Sequence, residues 1–369
     1  MPTYFKNFDS LRFYAFLLVF IGHVFTGFSF QAMPFYSVIP YLNFGDTGVL
    51  FFFVLSGFLI TTLLLREKAE KNINIKFFYL RRIKRIWPVY FIVVLTRYLI
   101  LPGMILFLAY LGVSIGSNSF TPVPLETLPW FLFFGANFYL SYYGFLSPIL
   151  NVLWSVSIEE QFYAFWPLFV KSFKSVVIIP LLILIISLSA YFRYKVHGMP
   201  SEDFHTISAL MPLGIGALFS YITFFYHKIL LSFQNLAKFW WATVYLLTVL
   251  FFLLRIFRDD LSFSFPILSS LVSLFLSLMF ALLIMEQGVA KNAIWQAGNS
   301  RLISYLGKIS YGLYAYHMIA FTLVLALLRL SGLSVNIIYY CFAIVLVFFV
   351  TILMAAVSYK YIEKPILAK

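Results

Sequence analysis

Residues 8–25 read FDSLRFYAFLLVFIGHVF, an apolar run long enough to cross a bilayer, interrupted by Arg12 near its start and His23 near its end. As α-helix, the step of eleven positions from one to the other turns about three times and rises roughly 16 Å, so both side chains share one face at different depths. Arg12 falls near a membrane surface and His23 near the middle. An ionisable group inside hydrocarbon is costly, which marks His23 as a candidate functional residue, with Arg12 as its partner at the surface.

The same apolar pattern fills the chain. Of 369 residues, 63% are hydrophobic and only 11% charged, with a mean hydropathy of +0.96, which excludes a soluble globular domain. Segments of about 17–25 apolar residues, the length that spans some 30 Å of hydrocarbon, recur along the whole sequence. They predict an all-α polytopic membrane protein with ten transmembrane helices, at about 11–30, 47–65, 83–101, 151–170, 175–192, 206–226, 239–256, 264–285, 304–328 and 335–358. Leu101–Val113 and Leu128–Leu140 are too short to span and read as interfacial or re-entrant pieces. No repeat, low-complexity tract or soluble segment appears, so residues 1–369 read as one membrane domain. No short core followed by a small-residue cleavage site follows Met1, so no cleavable signal peptide is expected. The single cysteine, Cys341, excludes an intramolecular disulfide and reads as buried packing.

The net charge of +13 does not point to nucleic acid, because the basic residues alternate from loop to loop. With a cytoplasmic N-terminus, 20 of the 26 Lys and Arg fall on the inner side. This asymmetry places both termini in the cytoplasm. The 66–85 loop is strongly basic, whereas 102–150 contains no Lys or Arg and is rich in Gly, Pro, Ser, Asn and Tyr, as befits an outward vestibule.

Depth counting places several titratable groups in one layer. His23 lies about 18 Å from the inner edge and His317, in KISYGLYAYH, about 19 Å. Glu159 and Glu160, in NVLWSVSIEEQFYAFWPLFV, enter from the outer side and lie roughly 12–14 Å deep, level with His23. A histidine held by a carboxylate suits general-base work, which assigns Glu159 or Glu160 as the group orienting His23. His197, His205 and His227 lie in loops or at helix ends and read as ordinary polar residues. No histidine pair with a third ligand occurs at metal-binding spacing, so no metal is expected.

In FYLRRIKRIWP, Arg82 and Arg85 stand one turn apart at the inner mouth of the third span. Such a pair can clamp phosphates bidentately or simply orient the helix and bind anionic lipid. In GDTGVLFFFVLSGFLIT, Gly45, Gly48, Ser56 and Gly57 permit close helix approach. LSGF does not satisfy the G-x-S-x-G pattern of a serine nucleophile.

Taken in order, FDSLRFYAFLLVFIGHVF, GVLFFFVLSGFLIT, FYLRRIKRIWPVY, LWSVSIEEQFYAFWPL, LGKISYGLYAYH and YKYIEKP resemble the acyltransferase family 3 proteins, membrane O-acyltransferases that include O-antigen acetylases. The resemblance covers residues 8–365. It implies about ten membrane helices in a bacterial inner (cytoplasmic) membrane and transfer of an acyl group, usually acetyl from acetyl-CoA or another acyl-CoA, to a hydroxyl of a carbohydrate, free or lipid-linked. It also implies that Arg12 and His23 are the essential Arg–His pair, Arg82 and Arg85 the paired arginines of the inner loop, and Glu159 or Glu160 the glutamate of the tryptophan–serine motif. Some relatives carry a soluble esterase-like domain after the membrane part. None is expected here, so the chain acylates the acceptor itself or passes the acyl group to a separate partner protein. The expected arrangement is CoA against Arg12, Arg82 and Arg85, its arm rising along the first helix, and His23 as general base or transient acyl carrier. Two other functions fit parts of the pattern: a proton-coupled transporter or flippase relaying protons through His23, Glu159 and His317, and a non-catalytic membrane partner of a glycan-assembly complex.

Overall fold

The computed structural model describes residues 5–27, 44–70, 72–110, 122–256, 266–330 and 337–368. Among them every regular element is helical, with short helices α7 (Pro148–Asn151), α10 (Ser201–Phe204), α12 (His227–Asn235) and α15 (Arg301–Lys308) in the connections. The long helices are α1 (Lys6–Gly27), α2 (Phe44–Glu70), α3 (Ile75–Leu95), α8 (Leu153–Ser172), α9 (Ser175–Lys195), α11 (Thr206–Phe225), α13 (Lys238–Ile256), α14 (Pro266–Val289), α16 (Ser310–Leu330) and α17 (Ile337–Ser358). Each of the ten expected spans therefore has its helix. Nine meet the length and apolarity of a membrane crossing among the described residues. The exception is α8, whose Glu159, Glu160 and Gln161 interrupt its apolar run. A multi-pass membrane protein tolerates such a helix only where its polar face meets protein or a cavity instead of lipid.

One short-segment expectation is corrected. Leu101–Tyr110 (α4) is not a separate interfacial piece: it continues α3 through a π-helical turn at Thr96–Ile100. Residues 111–113 lie outside the described residues. The second segment forms two short helices, α5 (Leu128–Leu132) and α6 (Ala136–Tyr143), separated by Phe134 at φ 54°. Cys341 is not buried packing but exposed on the surface of α17. That helix has one apolar face to spare for lipid.

Small residues fix the centre of the bundle. α2 packs between α1 and α11. A Cβ at Gly57 would collide with the backbone carbonyl of Leu213, one at Gly216 with that of Val54, and one at Gly48 with that of Ala15. Without a hydrophobic drive between helices in lipid, this close backbone approach is what holds them together. The consequence is a buried α2, 78% of whose apolar window is inside the protein, against 22% for the peripheral α9 and α13.

Two polar caps set helix ends beside the 66–85 segment. Asn74 accepts from the Phe77 amide at 3.1 Å and starts α3. Lys68 donates to the carbonyls of Val170 (2.6 Å) and Phe173 (2.8 Å), satisfying the last turn of α8. Lys68 is thereby occupied structurally, whereas Arg66, Arg81, Arg82, Lys84 and Arg85 line a cavity.

Candidate active site

Arg12, on α1, donates to Asp9 at 2.8 Å, an i, i+3 pair that holds its guanidinium toward α2 and α3. On α3, Arg82 and Arg85 face the same space. No carboxylate lies within salt-bridge distance of either among the described residues, and the buried Nε of Arg82 has no partner there. These side chains line a cavity of about 590 Å³ whose walls also carry Arg66, Arg81, Lys84 and Lys308, with Asp9 and Glu363 as its acids. Seven cations around two carboxylates make a site for a polyanion. Glu363 comes from YKYIEKP, where a second π-helical turn (Tyr359–Glu363) brings it in from the end of α17.

A narrower cavity of about 140 Å³ continues from the first. The two share Arg12, Leu59, Leu63, Arg82, Arg85 and Tyr311. Its deeper wall holds Phe52, Ser56, Ser155, Glu159, Tyr163 and Tyr314. Glu159 accepts from the hydroxyls of Ser56 at 3.0 Å and Tyr163 at 2.7 Å. Ser56, which reads in sequence only as a small packing residue, is thus a polar contact of the cavity. Tyr163 joins them through its i+4 spacing from Glu159, which puts both on one helix face and is the signal the sequence carries for it.

Glu160 is turned away from Glu159. One carboxylate oxygen accepts from the indole of Trp87 at 2.9 Å, and the other is buried without a partner among the described residues.

The expected pairing of His23 with Glu159 or Glu160 is not what the structure shows. His23 Nδ1 lies 2.8 Å from His317 Nε2. The physical reason is axial offset. Tyr314, one turn from His317 on α16, is bonded by Ser155 at 2.7 Å, so Ser155 marks the level nearest the histidines and Glu159 stands a turn further toward the basic cavity. The convergence of His23 and His317 at one depth is realised; that of the glutamates is not. His23 lines neither cavity, but Tyr314 both lines the inner one and contacts the His317 ring at 5.7 Å between centroids.

His197 and His205 are structural. His197 bonds Glu202 at 2.8 Å, and His205 caps α11 by accepting from the Ile207 amide at 3.2 Å. Burial pushes the His205 imidazole down from its ordinary range, in keeping with that acceptor role. No group of three metal-binding side chains occurs among the described residues.

The structure thus sets Arg12 and the α3 arginines outside, Glu159 within and the histidines beyond, and comparison with known proteins agrees with the motifs that carry them. A family model described as an acyltransferase domain matches residues 5–356. The chain belongs to the acyltransferase 3 family. In Bacillus subtilis (strain 168), the protein YrhL, named provisionally as a peptidoglycan O-acetyltransferase, is 30% identical over 355 residues, covering 91% of this chain and 54% of its own. The peptidoglycan O-acetyltransferase OatA of Listeria monocytogenes serovar 1/2a is 26% identical over 352 residues, covering 91% and 54%. This family member therefore spans about half the length of the curated relatives it matches. No solved structure matches it.

Proposed function

We propose that this chain is an integral membrane O-acyltransferase that moves an acyl group, acetyl in the first instance, from cytoplasmic acyl-CoA to a hydroxyl of a cell-envelope carbohydrate. The observation that carries this is the joined pair of cavities: seven cations at the mouth, a polar waist at Ser56, Glu159 and Tyr163, and a deep end at Tyr314, beside the His317–His23 pair. The residues fit a donor with a charged, phosphate-bearing head and a slender arm, because the wide chamber is basic and the narrow one is lined mainly by apolar and hydroxyl groups. The names of YrhL and OatA favour peptidoglycan as the acceptor class. The basic cavity belongs to the inner side under the positive-inside arrangement, with both termini cytoplasmic and the protein in a bacterial cytoplasmic membrane.

In this account Arg12, Arg82 and Arg85 bind the donor's phosphates by charge-assisted hydrogen bonds. A bound acyl thioester supplies an activated carbonyl carbon at the deep end of the narrow cavity. His23 Nε2 takes the proton of the acceptor hydroxyl as its oxygen bonds to that carbon, and the thiolate leaves with the electron pair of the broken C–S bond. Glu159 holds Ser56 and Tyr163 in place along the arm, and Glu160 anchors Trp87 behind them.

The test is transfer of radiolabelled acetyl from acetyl-CoA to cell-wall glycan by the purified, lipid-reconstituted protein. Label in the glycan is expected. No transfer from any acyl-CoA, together with solute movement into protein-containing vesicles, would replace the enzyme by the transporter.

A further inference from the structure

We infer that His317 is a positioning residue that fixes the tautomer of His23 and leaves its Nε2 as the free base, an inference that presupposes the role of His23 proposed above. Three observations carry it. His317 is 1% exposed, so its ring atoms have no water to choose as partners. Its Nδ1 lies 2.5 Å from the carbonyl oxygen of Tyr314. Its Nε2 lies 2.8 Å from His23 Nδ1, and the two rings are tilted by only 23° with centroids 4.9 Å apart. That separation is close to one hydrogen bond plus two ring radii, so the rings face each other through these nitrogens and do not lie one over the other.

A carbonyl oxygen can only accept, so the proton on His317 belongs to Nδ1. In the uncharged pair, His317 Nε2 is then a lone pair, and the 2.8 Å contact is made only if His23 carries its proton on Nδ1. His23 Nε2 is left unprotonated. The chain of bonds runs from His23 Nδ1–H to His317 Nε2, and from His317 Nδ1–H to the Tyr314 carbonyl. A neutral imidazole here does what a carboxylate does in other histidine dyads, and it brings no second buried charge into the bilayer.

The anchor is itself held. The Tyr314 phenol donates to the carbonyl of Val152 at 2.9 Å and receives Ser155 at 2.7 Å, tying α16 to the start of α8. Phe16 packs edge-on against the His317 ring at 6.1 Å between centroids.

The test reads the tautomer directly. Protein labelled with ¹⁵N-histidine, in lipid bilayers, is examined by solid-state NMR, with the His23 signals identified by their loss in His23→Gln. Wild type is expected to show His23 protonated on Nδ1 and bare at Nε2. In His317→Leu that preference is expected to disappear, and kcat to fall about 10²–10⁴-fold with the donor KM unchanged. His317→Gln, whose amide oxygen can still accept from His23, is expected to recover at least about tenfold over the leucine variant. A proton on Nε2 of His23 in the wild-type protein would overturn the inference, whether or not any variant folds. So would a His317→Leu enzyme that turns over at the wild-type rate. Full activity in His23→Ala would instead remove His23 from the chemistry, leaving the wild-type tautomer to be read on its own.

Discussion

Ser56 on α2 donates its hydroxyl to Glu159 on α8 at 3.0 Å, joining the most buried of the span helices to the one long helix that is not apolar enough to be a span among the described residues. The bond puts a carboxylate into the narrow cavity with its two oxygens already engaged, one by Ser56 and one by Tyr163. Residues sharing one acceptor do not act independently. In a double-mutant cycle on kcat/KM, Ser56→Ala and Glu159→Gln are expected to couple by about 0.5–3 kcal/mol. Strict additivity would show that the two are not one unit.

Arg82 and Arg85 have no carboxylate partner among the described residues, which leaves them for an external anion. Each charge-assisted bond to a phosphate is worth about 1.5–3 kcal/mol. Arg82→Ala and Arg85→Ala are each expected to raise the KM for acyl-CoA about 10–100-fold, with a smaller rise for the lysine variants, which keep the charge but lose the fork. The KM should also increase with ionic strength, since the mouth of the cavity is open to solvent. Unchanged donor KM in both alanine variants would place the donor elsewhere.

Gly57 abuts the carbonyl of Leu213 with no space for a side chain. Gly57→Val should therefore force α2 and α11 apart and lower stability by at least about 1–3 kcal/mol, read as a reduced thermal midpoint in detergent. Gly45, in the same motif, has nothing within 4 Å of its missing Cβ. Gly45→Ala is expected to leave the midpoint in place.

At the other end of α9 from the basic cavity, Glu202 is 2% exposed and receives Ser269 at 2.8 Å and the Gly198 amide at 3.0 Å, with Arg193 Nη2 3.7 Å away. Arg193 also donates to the Glu202 carbonyl at 2.7 Å. Arg193 keeps Asp203 at 3.0 Å when Glu202 is neutralised, so the change strands no cation and costs what the weakened bonds from Ser269 and the Gly198 amide are worth, about 1–3 kcal/mol. Glu202→Gln should lower stability by about that much while the acyl-CoA KM stays the same. A selective loss of donor affinity would contradict the separation of the two ends.

Much of this was legible in the sequence because lipid imposes one simple demand, that each crossing satisfy its own backbone. All ten apolar segments became helices, and Arg12, Arg82 and Arg85 met at one cavity as their shared depth required. Gly48 and Gly57 proved to be contact points, as small residues in apolar helices suggest. What depth counting could not resolve was rotation about the helix axes. Glu159 and Glu160 are adjacent in sequence yet about 100° apart around α8, so one faces the cavity and the other Trp87. A one-turn error in depth likewise hid the fact that His317, and not a glutamate, reaches His23. Tyr163 carried a visible signal in its spacing from Glu159, whereas the arrival of Glu363 beside Arg85 depends on a π-helical turn that no apolar pattern encodes.

The most direct test of the central claim is release of free CoA thiol from acetyl-CoA by the purified protein supplied with cell-envelope glycan, comparing wild type with His23→Ala. The account predicts glycan-dependent release by wild type and a loss of at least about 10²-fold in a variant that expresses and folds normally. Equal release by the folded variant would contradict it.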